Sequence, residues 1–316
     1  MGWIIMNSDD MSGVNGEGTD GIVVAGESGG GPRALEVPPM TGPEPVAGTE
    51  WAPEGVDLSV PSPARMYDYY LGGAHNFGVD RELAAQVIRV MPDVPKIAQA
   101  NRAFLHRAVR FLLGAGVRQF IDIGSGIPTE GNTHETAQQQ VPGSRVLYVD
   151  HDAVAVAHSE QILGANPGAG VLRADLRRPE EILDSPELGG LLDLAQPVGV
   201  LMLAVLPFIS EDERPEELIG QFRERVAPGS YLVISHGTGE VRPAQASAAA
   251  SLYRSAADKA TLRSRSRVRE LFDGWDLVEP GVVWLPQWHP DWPDDVGPDP
   301  AAISVAAGVG RRGRTS

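Results

Sequence analysis

Cysteine is absent from all 316 residues, which excludes disulfide staples and thiolate metal centres. Also missing is any apolar run of the length a membrane helix needs, about 20 residues. The opening Trp3-Ile4-Ile5-Met6 is too short for the apolar centre of a signal peptide and is followed by Asp9 and Asp10, so no membrane partner and a cytoplasmic location are expected. Basic side chains are scarce at the front. Residues 1–60 hold ten acids and only Arg33 as a base, so they carry −9 of the net −16 and leave −7 for the rest. Such a balance provides no basic face for phosphates, and nucleic acid is not expected as a partner. None of the histidines falls in a spacing such as H-E-x-x-H, and no metal is expected.

What is present divides the chain. Gly, Pro, Ser and Glu dominate from Ser12 to Val56 without sustained periodicity. Too little apolar surface is available there to offset chain entropy, so residues 1–58 read as an acidic, disordered leader. The remainder fits an N-terminal cap and helix over 59–116 and an α/β domain over 117–310. At 42% hydrophobic residues overall, material for a core is ample.

The organising stretch is Arg118-Gln-Phe-Ile-Asp-Ile-Gly-Ser-Gly126. Phe120, Ile121 and Ile123 make a short apolar run that stops at two glycines, as a buried parallel strand does on entering a ligand loop. Gly124 and Gly126 carry no Cβ, so the backbone there turns tightly and approaches a ligand closely. Asp122 falls at the strand's carboxyl end, where open α/β sheets bind their ligands. Two cofactor readings compete. The dinucleotide fingerprint G-x-G-x-x-G requires glycine where this chain has Thr129, which disfavours a nicotinamide-dependent oxidoreductase. Acid-x-Gly-x-Gly, with Ser125 between the glycines, instead resembles the first motif of S-adenosylmethionine-dependent methyltransferases.

The rest of the chain follows in α/β order. Ile97, Phe104, Ala108, Phe111 and Leu112 recur at helical spacing before Gly114 and Gly116. Asn132 suits a cap for a helix through Gln140. A second strand over Arg145–Val149 closes on Asp150, where an acid meets a ribose in Rossmann-like folds; His151 follows, and Asp152 suits the cap of a helix over Ala153–Leu163. A third strand spans Gly170–Ala174. The most apolar run, Pro197–Leu206, fits a central fourth strand, and its exit, from Ala204 to Phe208, is expected to line the reacting pocket. Pro215 suits the first turn of a helix with Leu218, Ile219, Phe222 and Val226 facing inward. Ser230–Ser235 forms a fifth strand with His236 at its tip, a general-base candidate since an unperturbed imidazole titrates near neutrality. An alanine-rich helical insertion occupies Thr238–Thr261, and Arg263, Arg265, Arg267 and Arg269 read as a solvated face. Trp275–Val278 and Val282–Leu285 are late strand segments, and Ala301–Val309 a last, antiparallel strand.

One span is unusually crowded for a connector: Pro61-Ser-Pro-Ala-Arg-Met-Tyr-Asp-Tyr-Tyr-Leu-Gly-Gly-Ala-His-Asn-Phe-Gly-Val-Asp-Arg-Glu82. Loops rich in Tyr, Arg, Asn and Gly are suited to covering a site. This span, Asn101-Arg102-Ala-Phe-Leu-His-Arg-Ala-Val-Arg and Gln119-Phe-Ile-Asp-Ile-Gly-Ser-Gly-Ile-Pro-Thr together resemble a largely uncharacterised family of bacterial S-adenosylmethionine-dependent methyltransferases, from about Pro61 to about Pro290. The resemblance implies bound S-adenosylmethionine, with Pro128 a family trait. It implies a Rossmann-like methyltransferase fold: a mostly parallel seven-stranded sheet with an antiparallel last strand, helices on both faces and an N-terminal helical cap. It also implies that Asp175 accepts a hydrogen bond from the adenine amino group while Leu176 holds the ring. Asp122, Gly124, Ser125, Gly126, Asp150, His151, Asp175, Leu176 and Ala204 are thus the expected cofactor residues. Arg65, Tyr67, Tyr70, Asn76 and Asn101 are expected in the cover over a small-molecule substrate, secondary metabolites included. The absence of an Asn/Asp-Pro-Pro-aromatic signature after the fourth strand counts against DNA bases and glutamine side chains. A non-catalytic S-adenosylmethionine sensor and the oxidoreductase remain alternatives.

Overall fold

The computed structural model describes residues 57–128 and 131–313. The acidic leader, except Asp57 and Leu58, lies outside the described residues, as does Thr129. Three helices come first: α1 (Pro63–Tyr70), α2 (Gly78–Val90) and α3 (Val94–Gly114). Proline at the first turn suits α1 and α3, because the missing N–H would have no intrahelical partner there. Helix α3 buries Phe104, Leu105, Ala108, Val109, Leu112 and Leu113 along one stripe. It ends where Gly116 adopts φ +94° and its N–H, with that of Val117, returns to the carbonyls of Leu113 and Leu112, the hydrogen-bonded stop that glycine permits.

Strand β1 (Gln119–Ile123) follows, then α4 (Thr133–Gln140), β2 (Arg145–Asp150), α5 (Ala153–Leu163), β3 (Ala169–Arg173), the short helices α6 (Pro179–Leu183) and α7 (Pro186–Leu191), β4 (Val198–Leu203), α8 (Pro215–Arg225), β5 (Tyr231–Gly237), α9 (Pro243–Leu252) and α10 (Arg265–Glu270). Asn132 and Asp152 stand at the N-caps of α4 and α5 as expected; Asp152 Oδ1 accepts the Val154 N–H at 2.7 Å. Last come β6 (Asp276–Leu277), β7 (Val283–Trp284) and β8 (Val305–Arg311).

The sheet order is β3-β2-β1-β4-β5-β8-β6, with β7 also paired to β8. Strands β1 to β5 are parallel, and β8 runs antiparallel to β5. Among the described residues eight strands form where seven were expected. The edge strand is divided, and its two segments, β6 and β7, lie against opposite ends of β8. Because β1 carries neighbours on both edges and helices on both faces, all five of its residues are buried. Its side chains alternate with the pleat. Ile121 and Ile123 enter one core with Leu147, Val200 and Phe222, and Phe120 enters the opposite core with Leu112, Val146 and Val233. A third cluster joins α1 and α2 to α3 and α9 through Met66, Tyr70, Leu83, Val87, Ala98 and Ala249.

The chain works outward from β1 to β3, then returns to β4 on the other side of β1. That reversal opens a crevice beyond the carboxyl ends of β1 and β4, the place such sheets hold ligands. Among the described residues no helix is long and apolar enough to cross a membrane.

Candidate active site

A cavity of about 280 Å³ occupies this crevice, close to the lower end of small-molecule sites, about 300 Å³. Its floor is the ends of β1, β2, β3 and β4; α1, α3 and residues 253–260 cover it. Asp122, Gly124, Ser125, Gly126, Asp150, His151, Asp175, Leu176 and Ala204 all line it, and so do Tyr67, Tyr70 and Asn101 from the cover.

The glycine turn is sterically required. Gly124 has φ +65°, and a Cβ there would come within 2.3 Å of Val205 Cγ2. Gly126 has φ +66° with nothing within 4 Å of the Cβ position, so its backbone faces open space. The Gly126 N–H donates to Asp150 Oδ2 at 2.8 Å, and the Asp152 N–H donates to Oδ1 at 2.9 Å. These bonds fix the carboxylate at the turn while each oxygen retains a lone pair. Burial raises the pKa of Asp150. Asp122 is pushed up to about 6, chiefly by burial, against the opposing effect of the Thr133 hydroxyl, which donates to Oδ2 at 2.6 Å, and of the nearby Arg102.

Beyond β2 lies a clasp of charges. His151 Nε2 is 3.1 Å from Asp258 Oδ2, and Nδ1 is 3.8 Å from Asp150 Oδ1. The Asp258 hydrogen bond, opposed by burial and aided by Asp150, raises the imidazole to about 9. Arg177 donates to Asp258 at 3.0 Å, to Asp175 at 3.2 Å, to Glu213 at 2.5 Å and to the Phe208 carbonyl at 2.8 Å. Asp175 is therefore at the cavity but already shares its carboxylate with Arg177.

The cover is joined to β4 through a polar relay. The Ala204 N–H donates to Ser235 Oγ (3.0 Å), Ser235 Oγ donates to Asn101 Oδ1 (2.6 Å), Asn101 Nδ2 donates to the Tyr67 hydroxyl (3.0 Å), and that hydroxyl donates to the Ala98 carbonyl (3.1 Å). Ala204 holds φ +56°, a left-handed conformation costly for a residue with a Cβ. The relay fixes its amide.

Arg65, Asn76 and His236 do not line the cavity. Arg65 is a buried residue of α1, pairing with Asp80 at 3.0 Å and donating to the Val60 carbonyl. Asn76 donates to Asp68 at 2.8 Å and to the Gly73 carbonyl at 2.9 Å. Both are staples inside the cover, since a buried charge or amide must find partners within the protein. His236 is corrected as a general base. Its Nε2 accepts from Arg263 at 2.9 Å and its Nδ1 donates to the Gly237 carbonyl at 2.8 Å. With the ring fully buried, the pKa is lowered to about 3, so the imidazole is neutral and has no nitrogen left for a substrate.

Arg263 corrects a second expectation, because its side chain is not solvated. It donates to Glu211 at 2.6 Å and to the carbonyls of Leu206 and Ile209 at 2.8 and 2.7 Å. It thereby pins the 206–211 turn, part of which lines the cavity, onto β5.

Residues 49–313 match a family model described as S-adenosyl methyltransferase. The chain belongs to this family. It is an S-adenosylmethionine-dependent methyltransferase, and the nicotinamide alternative is set aside. Two crystal structures are similar over nearly their whole length. A DUF574-family protein from Streptomyces avermitilis is 36% identical with a TM-score of 0.78, over 81% of this chain and 99% of that one. A protein from Thermobifida fusca, named only provisionally as a methyltransferase, is 38% identical with a TM-score of 0.78, over 84% of this chain and 99% of that one. No curated protein matches the sequence.

The methyltransferase cavity fits S-adenosylmethionine on its own chemistry. Acids at the ends of adjacent strands face a glycine turn without side-chain obstruction at Gly126. Ser125 Oγ is buried at the cavity with no hydrogen-bond partner in the protein, a group whose desolvation a bound polar ligand would offset. Sequence reasoning missed Arg102, Arg177, Tyr253 and Asp258. Arg102 directly follows Asn101 in the stretch Asn101–Arg110, and the other three carry no local signal.

Proposed function

We propose that this methyltransferase alkylates a nucleophile on a small molecule, secondary metabolites included, bound between the cap tyrosines and the exit of β4. The observation that carries the reading is one cavity walled at once by the glycine turn, strand-end acids and the cover residues Tyr67, Tyr70 and Asn101. Asp150 accepts the ribose hydroxyls, since a carboxylate with spare lone pairs suits a diol. Asp175 and Leu176 hold the adenine edge and ring. Ser125 donates to the cofactor, and Asp122 and Arg102 complement the charges of its amino-acid end. S-adenosylmethionine supplies an electrophilic methyl group on sulfur.

The protein's own contribution is alignment and exclusion of water. His236 is sealed, and His151, with a carboxylate on either side, is held in its charged form, so neither histidine serves as a base. Catalysis then rests on holding the acceptor in line, which is worth up to about 7–11 kcal/mol when alignment is good. The rigid amide of Ala204 and the pinned 206–211 turn set that alignment. The test is turnover of methyl-labelled cofactor by the full chain with the small-molecule fraction of a bacterial extract. Label in a low-mass product is expected. Label only in protein or nucleic acid added back would remove the substrate class.

A further inference from the structure

The charged groups at the cavity gather at its strand ends. Asp150, His151, Asp175, Arg177 and Asp258 bind one another, and Arg102 is close enough to Asp122 to pull on its titration. Away from them the wall is apolar: Val94, Ile97, Leu203, Phe208 and Val305, with the rings of Tyr70 and Tyr253. The Tyr253 ring lies 5.7 Å from that of Phe208 at 56°.

The two tyrosine hydroxyls are 3.0 Å apart. Each has one proton, and a single proton satisfies the contact between them. One O–H at the cavity therefore has no acceptor in this pair. Tyr70 is 6% exposed within the cap cluster, whereas Tyr253 is partly exposed beside Phe208. Tyr70 is thus placed to donate to Tyr253, leaving the Tyr253 proton to the chamber. Burial raises both phenols, Tyr253 to about 12, so each keeps its proton at neutral pH.

We propose that Tyr253 is the residue that selects the methyl acceptor, donating a hydrogen bond to a neutral oxygen or nitrogen on an uncharged aromatic molecule packed against Phe208. This rests on the methyltransferase reading of the cavity. A charged acceptor would lose its hydration against an apolar wall, and that loss exceeds the cost for a neutral group. An aromatic ring matches the tilted pair of rings already there.

The test uses the full chain saturated with S-adenosylhomocysteine and four one-ring probes followed by ligand-observed NMR: acetophenone, ethylbenzene, benzoate and benzylamine. Acetophenone is expected to bind most tightly. Tyr253→Phe should weaken acetophenone about three- to tenfold, the range of one neutral hydrogen bond, while leaving ethylbenzene and S-adenosylhomocysteine unchanged. Thermal melting establishes that the Tyr253→Phe protein is folded, and the order of the four probes on the unaltered chain tests the proposal independently of it. Tightest binding of benzoate would overturn the proposal and assign the acceptor to Arg102. Tightest binding of benzylamine, no binding of acetophenone, or equal affinities in the Tyr253→Phe variant would also overturn it. Failure of S-adenosylhomocysteine itself to bind would instead remove the cofactor-site reading beneath it.

Discussion

Asp150→Asn is the most informative single substitution. The carboxylate accepts from the Gly126 N–H through one oxygen and from the Asp152 N–H through the other. An amide of the same shape has one accepting oxygen, so one backbone donor loses its partner and a ribose hydroxyl loses a charged acceptor. Hydrogen bonds to charged groups are worth about 1.5–3 kcal/mol, which corresponds to a rise of about 10- to 150-fold in the dissociation constant for S-adenosylhomocysteine. Calorimetric titration of the full chain measures it, with thermal melting to establish that the variant remains folded. Acid should act in the same direction. Because burial raises the Asp150 pKa, the carboxylate takes up its proton at higher pH than an ordinary aspartate, and affinity should decline correspondingly early. An unchanged dissociation constant in a folded Asp150→Asn protein would refute the ribose assignment.

Further expectations concern the turn and the buried titratable groups. Gly126→Ala should cost about 1–2 kcal/mol in urea unfolding, the strain of an L-residue in the left-handed region, whereas Gly124→Ala should cost more because its Cβ would also meet Val205; equal losses would contradict the geometry. His151 titrates at about 9 in the folded protein against 6.5 ordinarily, so its contribution to stability is complete below pH 6.5 and is lost as pH rises through about 9. In Asp258→Asn that alkaline loss should shrink and the NMR titration of His151 should move toward 6.5; a wild-type midpoint already near 6.5 would refute the clasp. His236 is the opposite case, with a folded pKa of about 3. The unfolded chain binds its proton first, so stability falls as pH drops from 6.5 toward 3. His236→Gln should flatten melting temperature over that interval, and an unaltered acid dependence would contradict a neutral, buried ring.

Much of this was legible because it is locally encoded. Two glycines after an apolar run mark the turn, acids at strand ends mark the floor, and Asn132, Asp152 and Pro215 mark helix starts through chemistry confined to one turn. The residues of the 204–208 exit were likewise readable from the strand that precedes them. What escaped depends on partners distant in sequence. Arg263 looks like one of a row of solvated arginines until the 206–211 turn and His236 surround it, and that turn is remote in the chain. The same encounter turns His236 from a reactive candidate into a buried anchor. Arg65 and Asn76 have the composition of cover residues, yet Asp80 and Asp68 draw them inside. Tyr253 and Asp258 sit in an alanine-rich segment whose pattern shows a helix and nothing of the cavity beneath it.

The most direct test is a crystal structure of the full chain with S-adenosylhomocysteine. The ribose hydroxyls are expected within hydrogen-bond distance of Asp150, the adenine edge at Asp175, and the sulfur facing the chamber between Ala204 and Tyr253. Density for the cofactor elsewhere, or a ribose that leaves Asp150 untouched, would contradict this placement.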